Sequence, residues 1–325
     1  MTDTANAADA AEVTAPVAHG DAVGQGAPNP AGGKDAARSL WSDAWGELRR
    51  KPLFWISSAL IVTFVVMAVV PQVFTSTDPF LADLSKARDK PSGDAWFGRD
   101  GQGYDVYART IYGARASILV GLFATAFTVL VGCSVGIIAG YRGGWIDSVL
   151  SRVSEIFLAI PLLLGGILFL YVFPNELNSA YLLVVGKVAL VLGVLGWPTI
   201  ARLQRSSVLQ VKPNDYVQAA RALGASPTRV IFSHILPNSI ASVIVVSTIN
   251  LGAYISAEAT LSFLGIGLQP PAISWGLAIS DASGIGIIRA APHMLVFPSV
   301  FLSLTVLAFI MLGDAVRDAL DPKLR

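Results

Sequence analysis

Long apolar runs separated by polar stretches dominate the pattern of the chain. Six runs approach the length of about 20 residues that a helix needs to cross a bilayer. They are residues 54–73, 117–140, 156–172, 181–200, 240–264 and 294–312. The fourth run contains Lys187 and the fifth contains Glu258, while the others are uncharged. Because an unpaired backbone group in hydrocarbon costs several kcal/mol, each run must be helical. The pattern predicts an all-α integral membrane protein with six transmembrane helices.

The polar stretches between the runs predict the orientation. Lys and Arg are more frequent beside the ends of the runs that lie on the same side as the N-terminus. Since such residues favour the cytoplasmic side, both termini are predicted to be cytoplasmic. The predicted organisation is a disordered cytoplasmic tail (1–45), a first transmembrane helix (46–74), an external loop region (75–116), a permease core with five helices (117–313) and a cytoplasmic tail (314–325). The first tail is rich in Ala, Gly, Pro and Asp, a composition that cannot form a core.

Composition narrows the possible functions. Hydrophobic residues make up 54% of the chain and charged residues only 14%, below the quarter that is typical of soluble domains. The net charge of +1 gives no basic field for nucleic acid. The single cysteine, Cys133, excludes an internal disulfide and a cysteine-cluster metal site. No GxxxxGK[ST] phosphate-binding loop occurs, so any ATP hydrolysis must take place in a separate subunit.

A second long polar stretch, residues 201–239, lies on the predicted cytoplasmic side, and we call it the coupling loop. Its residues predict two short helices, 215–223 and 227–235, joined by a turn at Gly224, a residue that adopts positive φ at low cost. A serine N-cap followed by proline begins the second helix, which is expected to end before Pro237. A compact helix pair of this kind could dock rigidly on a partner that supplies energy.

The coupling loop resembles a known motif. Gln218-Ala219-Ala220, followed by Gly224 and then Leu236-Pro237, is similar to the EAA loop of permease subunits of binding-protein-dependent ABC importers, with Gln218 in place of the glutamate. The flanking segments 95–117, 140–147, 258–276 and 313–325 resemble the dipeptide, oligopeptide and nickel branch of this family. The resemblance implies the type I importer permease fold and a coupling helix that sits in a groove of the ATPase. It assigns ATPase coupling to Asp215, Tyr216, Gln218, Ala219, Ala220, Arg221, Gly224, Ser226, His234, Leu236 and Pro237.

The same resemblance implies the function and the partners. It implies a non-catalytic multi-pass subunit of the cytoplasmic membrane that translocates di- or oligopeptides by alternating access. The partners would be a second permease subunit in a heterodimer, two ATPase subunits or domains that bind ATP and Mg²⁺, and an external solute-binding protein. The alternatives are import of a nickel chelate or of another small solute such as glutathione, an ion-coupled secondary transporter, and a membrane enzyme. The absence of an internal repeat and of several buried charges argues against the secondary transporter.

Three polar residues within the spans are candidates for the translocation pathway. Glu258 could line the pathway because a carboxylate in a membrane is costly, or it could bond to a neighbouring helix. Lys187 could meet a peptide carboxylate, or its ammonium could reach the interface. Asn250 could line the pathway or pair across helices. The aromatic residues of the external loop could dock a binding protein or anchor the chain at the interface.

Overall fold

The computed structural model describes residues 45–175 and 179–320. Within these residues the regular structure is helical, apart from one isolated antiparallel bridge between Arg99 and Asp105. We number the helices in chain order: α1 Pro52–Val69, α2 Val106–Arg142, α3 Gly144–Leu158, α4 Leu162–Val172, α5 Tyr181–Val211, α6 Asp215–Ala222, α7 Pro227–Val230, α8 Leu236–Ser239, α9 Ala241–Phe263, α10 Trp275–Asp281, α11 Ile285–Ala290 and α12 His293–Leu320. The predicted N-terminal tail lies outside the described residues, except for Trp45.

The membrane-spanning pattern matches the expected all-α architecture. In the described part of the chain, α1, α2, α5, α9 and α12 are each long and apolar enough to cross a membrane. A sixth crossing is formed if α3 and α4, which meet at an angle of 79°, act together as one broken span. The prediction of an all-helical membrane protein with six apolar segments is therefore confirmed.

The third predicted span, 156–172, is not one straight helix. The chain bends between α3 and α4 at residues 159–161, and Pro161 lies at the N-cap of α4. Proline lacks the amide hydrogen that a continuous helix would use and its ring clashes with the preceding turn. The apolar character of the run concealed this break, because a hydropathy pattern does not distinguish a bent segment from a straight one.

Two helices extend well beyond the apolar runs that predicted them. Helix α2 begins at Val106, eleven residues before position 117, and α5 continues to Val211 through residues expected to form a loop. Both extensions carry charged residues that bond to other helices. Arg115 donates through Nε to the Ala68 carbonyl at 2.8 Å, and Arg205 donates through Nη2 to Asp147 Oδ2 at 2.7 Å. Helix α12 likewise extends to Leu320, beyond position 314.

The centre of the bundle is the close packing of α2 on α5. Gly132, Gly136 and Gly140 form one face of α2, and a methyl group at Gly136 would lie 2.5 Å from the Ala201 carbonyl. Small residues at this spacing allow two membrane helices to approach closely. The largest apolar cluster joins α2, α5 and α9, and a second joins α1, α2 and α12 around Trp275. The N-terminal end of α2 follows residues 75–105, and its C-terminal end packs against the coupling loop.

Candidate functional site

A sharp turn at Gly224 separates the two halves of the coupling loop. Gly224 has φ of +83°, its amide donates to the Arg221 carbonyl at 2.9 Å, and the Ala225 amide donates to the Ala220 carbonyl at 3.0 Å. This pair of hydrogen bonds is a Schellman motif, which satisfies carbonyl groups at the end of α6. No atom beyond the chain neighbours lies within 4 Å of a methyl group built on Gly224. The backbone conformation, rather than the lack of space, therefore requires glycine here.

The second half of the loop is longer than expected and passes through Pro237. Ser226 caps α7, accepting the Arg229 amide at 3.4 Å, and Pro227 occupies the first turn. A π-helical turn, Ile231–Ile235, follows, and α8 then begins at Leu236. Pro237 lies in the first turn of α8, where a missing amide hydrogen costs little. The expectation that the helix ends before Pro237 was wrong, because the π turn starts a new helical segment.

The coupling loop has an apolar interior and an apolar outer surface. Val208, Val217, Val230 and Ile235 form a buried cluster that joins α5 to both halves of the loop. On the outside, Leu223 is 89% exposed and Phe232 is 65% exposed. Neither residue was singled out from the sequence. The signal that could have identified Leu223 is its position directly before the glycine of a helix end, where a side chain is presented to solvent rather than to the core.

The eleven predicted coupling residues divide between the outer surface and the attachment of the loop. Asp215, Ala219, Gly224, Ser226 and Pro237 are exposed. Tyr216 is also exposed, and its ring centre lies 6.5 Å from that of the half-buried His234. Gln218 is also exposed, and its amide donates along the loop to the Lys212 carbonyl at 2.9 Å. The other three are half-buried: the Arg221 guanidinium lies 5.0 Å from the Tyr141 ring centre, and Ala220 and Leu236 face partly inward.

Polar contacts fix the loop to two other helices and join its two ends. The Lys212 ammonium donates to the Tyr141 carbonyl of α2 at 2.7 Å. Arg205 pairs with Asp147 of α3, and the buried Gln204 amide donates to the Ser239 hydroxyl at the end of α8 at 2.8 Å. These contacts hold the loop to α2 and α3, and the Gln204–Ser239 bond joins its two ends. A displacement of the loop must therefore move several helices.

Glu258 is fully buried and bonds to residues of its own chain. Its carboxylate accepts hydrogen bonds from the Ser117 hydroxyl of α2 at 2.8 Å and from the Ser262 hydroxyl at 2.7 Å. The Ser262 hydroxyl in turn accepts the Leu268 amide at 3.0 Å. Hydrogen-bonded partners of this kind make a buried polar group tolerable. The structure therefore places Glu258 between α2 and α9, and not on an open surface of this chain.

The other two pathway candidates have different surroundings. The Lys187 ammonium donates to the Pro174 carbonyl at 3.0 Å and to the Phe173 carbonyl at 3.3 Å, just after α4 ends, where a cation is favourable. Asn250 is half-buried on α9, and its amide makes no hydrogen bond with any residue that the structure describes. Among the three, Asn250 is the one whose polar group is available to a partner.

At the opposite end of α2 lies a folded segment, residues 75–105, which we call the cap. Asp100 is its centre, since Oδ1 accepts the amides of Gln102 and Tyr104, each at 2.9 Å, and Oδ2 accepts Arg109 Nη1 at 3.1 Å. His293 of α12 bonds through Nε2 to the Arg99 carbonyl at 3.1 Å. The Ser85 hydroxyl donates to Asp83 and lowers the pKa of that carboxyl below its usual value.

Comparison with known proteins identifies the family. Residues 132–325 match the family described as "Binding-protein-dependent transport system inner membrane component". Residues 39–91 match the "N-terminal TM domain of oligopeptide transport permease C".

Curated relatives match over most of their length. The oligopeptide transport system permease protein OppC of Bacillus subtilis (strain 168) is 38% identical, covering 88% of this chain and 91% of the relative. The dipeptide transport system permease protein DppC of Alkalihalophilus pseudofirmus is 37% identical, covering 89% and 92%. The glutathione transport system permease protein GsiD of Pectobacterium atrosepticum is 34% identical, covering 89% and 93%. The chain therefore belongs to the family of inner membrane components of binding-protein-dependent transport systems.

Proposed function

We propose that this chain is a permease subunit that translocates di- or oligopeptides across the cytoplasmic membrane by alternating access, driven by separate ATPase subunits. The names of the relatives OppC and DppC support peptides as the substrate class. The chain itself is non-catalytic and needs no cofactor in this proposal, and ATP and Mg²⁺ are bound by the ATPase partners. A second permease subunit completes the pathway as a heterodimer, and an external solute-binding protein delivers the peptide.

The observation that carries the proposal is the exposed apolar surface of a rigidly attached coupling loop. Leu223 and Phe232 lie outside the buried cluster and have most of their side-chain surface exposed. Exposed apolar side chains on a fixed framework are typical of residues that enter a partner's groove. The docked partner in this proposal is an ATPase subunit, whose closure on ATP moves the loop and the helices attached to it. Hydrolysis then restores the inward-facing state.

The proposed orientation places the coupling loop and both termini in the cytoplasm and the cap outside. Labelling of single cysteines with a membrane-impermeant maleimide tests it in intact cells. With Cys133 replaced by serine, we expect a cysteine at Leu84 in the cap to be labelled and a cysteine at Leu223 to be labelled only after permeabilisation. Labelling of the Leu223 position in intact cells contradicts this orientation.

The match to a glutathione permease supports a second substrate, the tripeptide glutathione. Glutathione resembles a short peptide in size and in carrying an ammonium and a C-terminal carboxylate, and it differs by a second free carboxylate that its γ-glutamyl linkage leaves beside the ammonium. A nickel chelate is less supported, because the relatives described above are named for peptides and glutathione. Uptake of radiolabelled trialanine and radiolabelled glutathione by cells that contain the complete complex distinguishes the two substrates.

For the pathway itself we propose Asn250 as the lining residue, because its half-exposed amide has no hydrogen-bond partner among the described residues. In this proposal Glu258 and Lys187 do not line the pathway, and their hydrogen bonds connect segments of the chain to each other. We expect Asn250→Leu to reduce trialanine uptake while the amount of assembled complex stays the same. Uptake at the natural level contradicts the assignment.

An affinity pull-down from detergent-solubilised native membranes tests the docking proposal directly. We expect the natural chain to bring a second permease and subunits that carry the GxxxxGK[ST] motif, as identified by mass spectrometry. Leu223→Asp should lose the ATPase subunits and keep the second permease. Leu84→Asp is the matched control, because Leu84 is 75% exposed at the opposite end of α2, and it should keep all partners. Retention of the ATPases by Leu223→Asp contradicts docking at this surface.

A further inference from the structure

A single aromatic ring holds both ends of α6 against the end of α2. Tyr141 lies one residue before the C-terminus of α2 and packs against the buried cluster of the coupling loop. The Arg221 guanidinium carbon lies 5.0 Å from the centre of its ring, and the Lys212 ammonium lies 5.8 Å from it. Both distances are within the range of a cation–π interaction. Lys212 precedes α6 and Arg221 belongs to its last turn. The ring therefore contacts one cation near each end of α6.

The two cations differ in how much they depend on the ring. Lys212 also donates to the carbonyls of Tyr141 at 2.7 Å and Gly140 at 3.5 Å, contacts that any residue at position 141 would preserve. Arg221 Nε is buried and has no hydrogen-bond partner among the described residues. A buried cationic donor without a partner is costly, and the face of the Tyr141 ring is the compensating contact. The position of Arg221, and with it the last turn of α6, therefore depends on the aromatic ring.

The arrangement also determines which helices move when α6 is displaced. Tyr216 and Ala219 on α6 and Leu223 directly after it are exposed, while Arg221 contacts Tyr141. The backbone joins α6 to α5 through the short link that contains Lys212, and to α7 through the turn at Gly224. The connection to α2 is made by side chains: Ile137 and Tyr141 pack against the buried cluster that contains Val217. The Tyr141 ring also lies near Lys212, before α6, and near Arg221, in its last turn. A displacement of α6 thus reaches α5 and α7 through the backbone, and α2 through side-chain contacts that include this ring.

We propose that Tyr141 is a positioning residue that transmits movement of the coupling loop to α2. This inference rests on the proposed function, since it takes the outer surface of α6 to be driven by an ATPase partner. Without the ring, α6 can still dock and move, but α2 no longer follows it in full. The consequence is partial uncoupling, in which ATP is hydrolysed with less substrate moved. Coupling between sites requires an element whose state both sites influence, and the α6–Tyr141–α2 contact is that element here.

The test measures substrate transported per ATP hydrolysed, using the complete complex with its binding protein in proteoliposomes and radiolabelled trialanine as the probe. We expect Tyr141→Ala to lower this ratio about fivefold, the factor that corresponds to about 1 kcal/mol for a cation–π contact. Tyr141→Phe keeps the ring and should restore the ratio.

Each outcome bears on a different statement. A natural ratio in Tyr141→Ala, with a normal yield of complex, overturns the role of Tyr141 and leaves ATPase docking intact. If Tyr141→Ala fails to assemble, Arg221→Met decides, because it keeps the ring and the helix but removes the cation: a lowered ratio supports the inference and a natural ratio overturns it. If the natural chain purifies without ATPase subunits, the proposed function fails, and the role of Tyr141 in coupling fails with it.

Discussion

The cap and the coupling loop lie at opposite ends of α2 and are built in different ways. Each contains a glycine with φ of +83°, Gly103 in the cap and Gly224 in the coupling loop. A methyl group on Gly103 would lie 1.9 Å from the Asp83 carbonyl, whereas Gly224 faces open space. The cap is organised by carboxylates that accept backbone amides, and the coupling loop by short helices over a small apolar cluster. The same backbone conformation thus serves close chain approach in one region and a helix end in the other.

Among substitutions in the two regions, Gly103→Ala is expected to cause the largest loss of stability. The new methyl group meets the Asp83 backbone, and the positive φ is unfavourable for alanine, so we expect a loss of about 3–5 kcal/mol of stability. The thermal unfolding midpoint of the detergent-purified chain, followed by tryptophan fluorescence, measures it. Gly101→Ala is the control, because Gly101 has space around it and no positive φ. Equal midpoints for the two variants contradict the close approach.

Asp100→Ala should have the next largest effect. It removes the acceptor of two backbone amides and of Arg109, which leaves partly buried donors unpaired, and we expect a loss of about 2–3 kcal/mol. Asp100→Asn retains one amide acceptor and should lose less. The same thermal unfolding assay ranks the three proteins, and an asparagine variant less stable than the alanine variant disproves the assigned hydrogen bonds.

Gly224→Ala measures the corresponding loss of stability in the coupling loop. Only the backbone conformation is unfavourable there, so the expected loss is about 1–2 kcal/mol, smaller than that of Gly103→Ala. Asn adopts positive φ more readily than Ala, and Gly224→Asn should therefore be more stable than Gly224→Ala. A loss for Gly224→Ala that equals the loss for Gly103→Ala shows that space, and not only φ, restricts this turn.

The smallest effect is expected for the helix N-cap of the coupling loop, which we compare with the N-cap of α2 at the end of the cap. Ser226 accepts the Arg229 amide at 3.4 Å, a long contact, and Ser226→Ala should cost about 0.5 kcal/mol. In the cap, the buried Asp105 accepts the Ala108 amide at 2.8 Å, and Asp105→Ala should cost about 1–2 kcal/mol. Chemical denaturation in detergent measures both losses of stability. A larger loss for Ser226→Ala than for Asp105→Ala contradicts the assigned strengths of the two N-cap hydrogen bonds.

Hydropathy predicted the number of apolar segments and the class of fold, because the membrane imposes both through composition alone. Hydropathy did not predict where a helix ends when its charged residues bond to residues that are distant in sequence. Arg115 is compatible with α2 because it bonds to the end of α1, and Arg205 is compatible with α5 because Asp147 faces it. These partners are distant in sequence, so no local pattern reveals them.

In the coupling loop, local chemistry predicted the turn at Gly224 and the cap at Ser226, which depend on neighbouring residues. The path through Pro237 was missed, since the π turn before it has no simple sequence signal. The outward position of Leu223 and the contact of Arg221 with Tyr141 were also missed, because both depend on how α6 lies against α2. The assigned coupling roles remain predictions, and their distribution over two faces of the loop comes from the structure.

Helix α2 runs without interruption through 37 residues, about 55 Å at 1.5 Å per residue, while the hydrocarbon layer is about 30 Å thick. It therefore extends from the cap to the coupling loop as a single rod. Such a rod can couple the two ends, and any coupling between two binding sites is reciprocal: if nucleotide state at one end changes affinity for a loaded binding protein at the other, the loaded binding protein must change nucleotide affinity by the same factor. In the proposed complex, a binding protein at the cap would therefore change nucleotide affinity at the coupling loop as strongly as nucleotide changes the affinity for the binding protein.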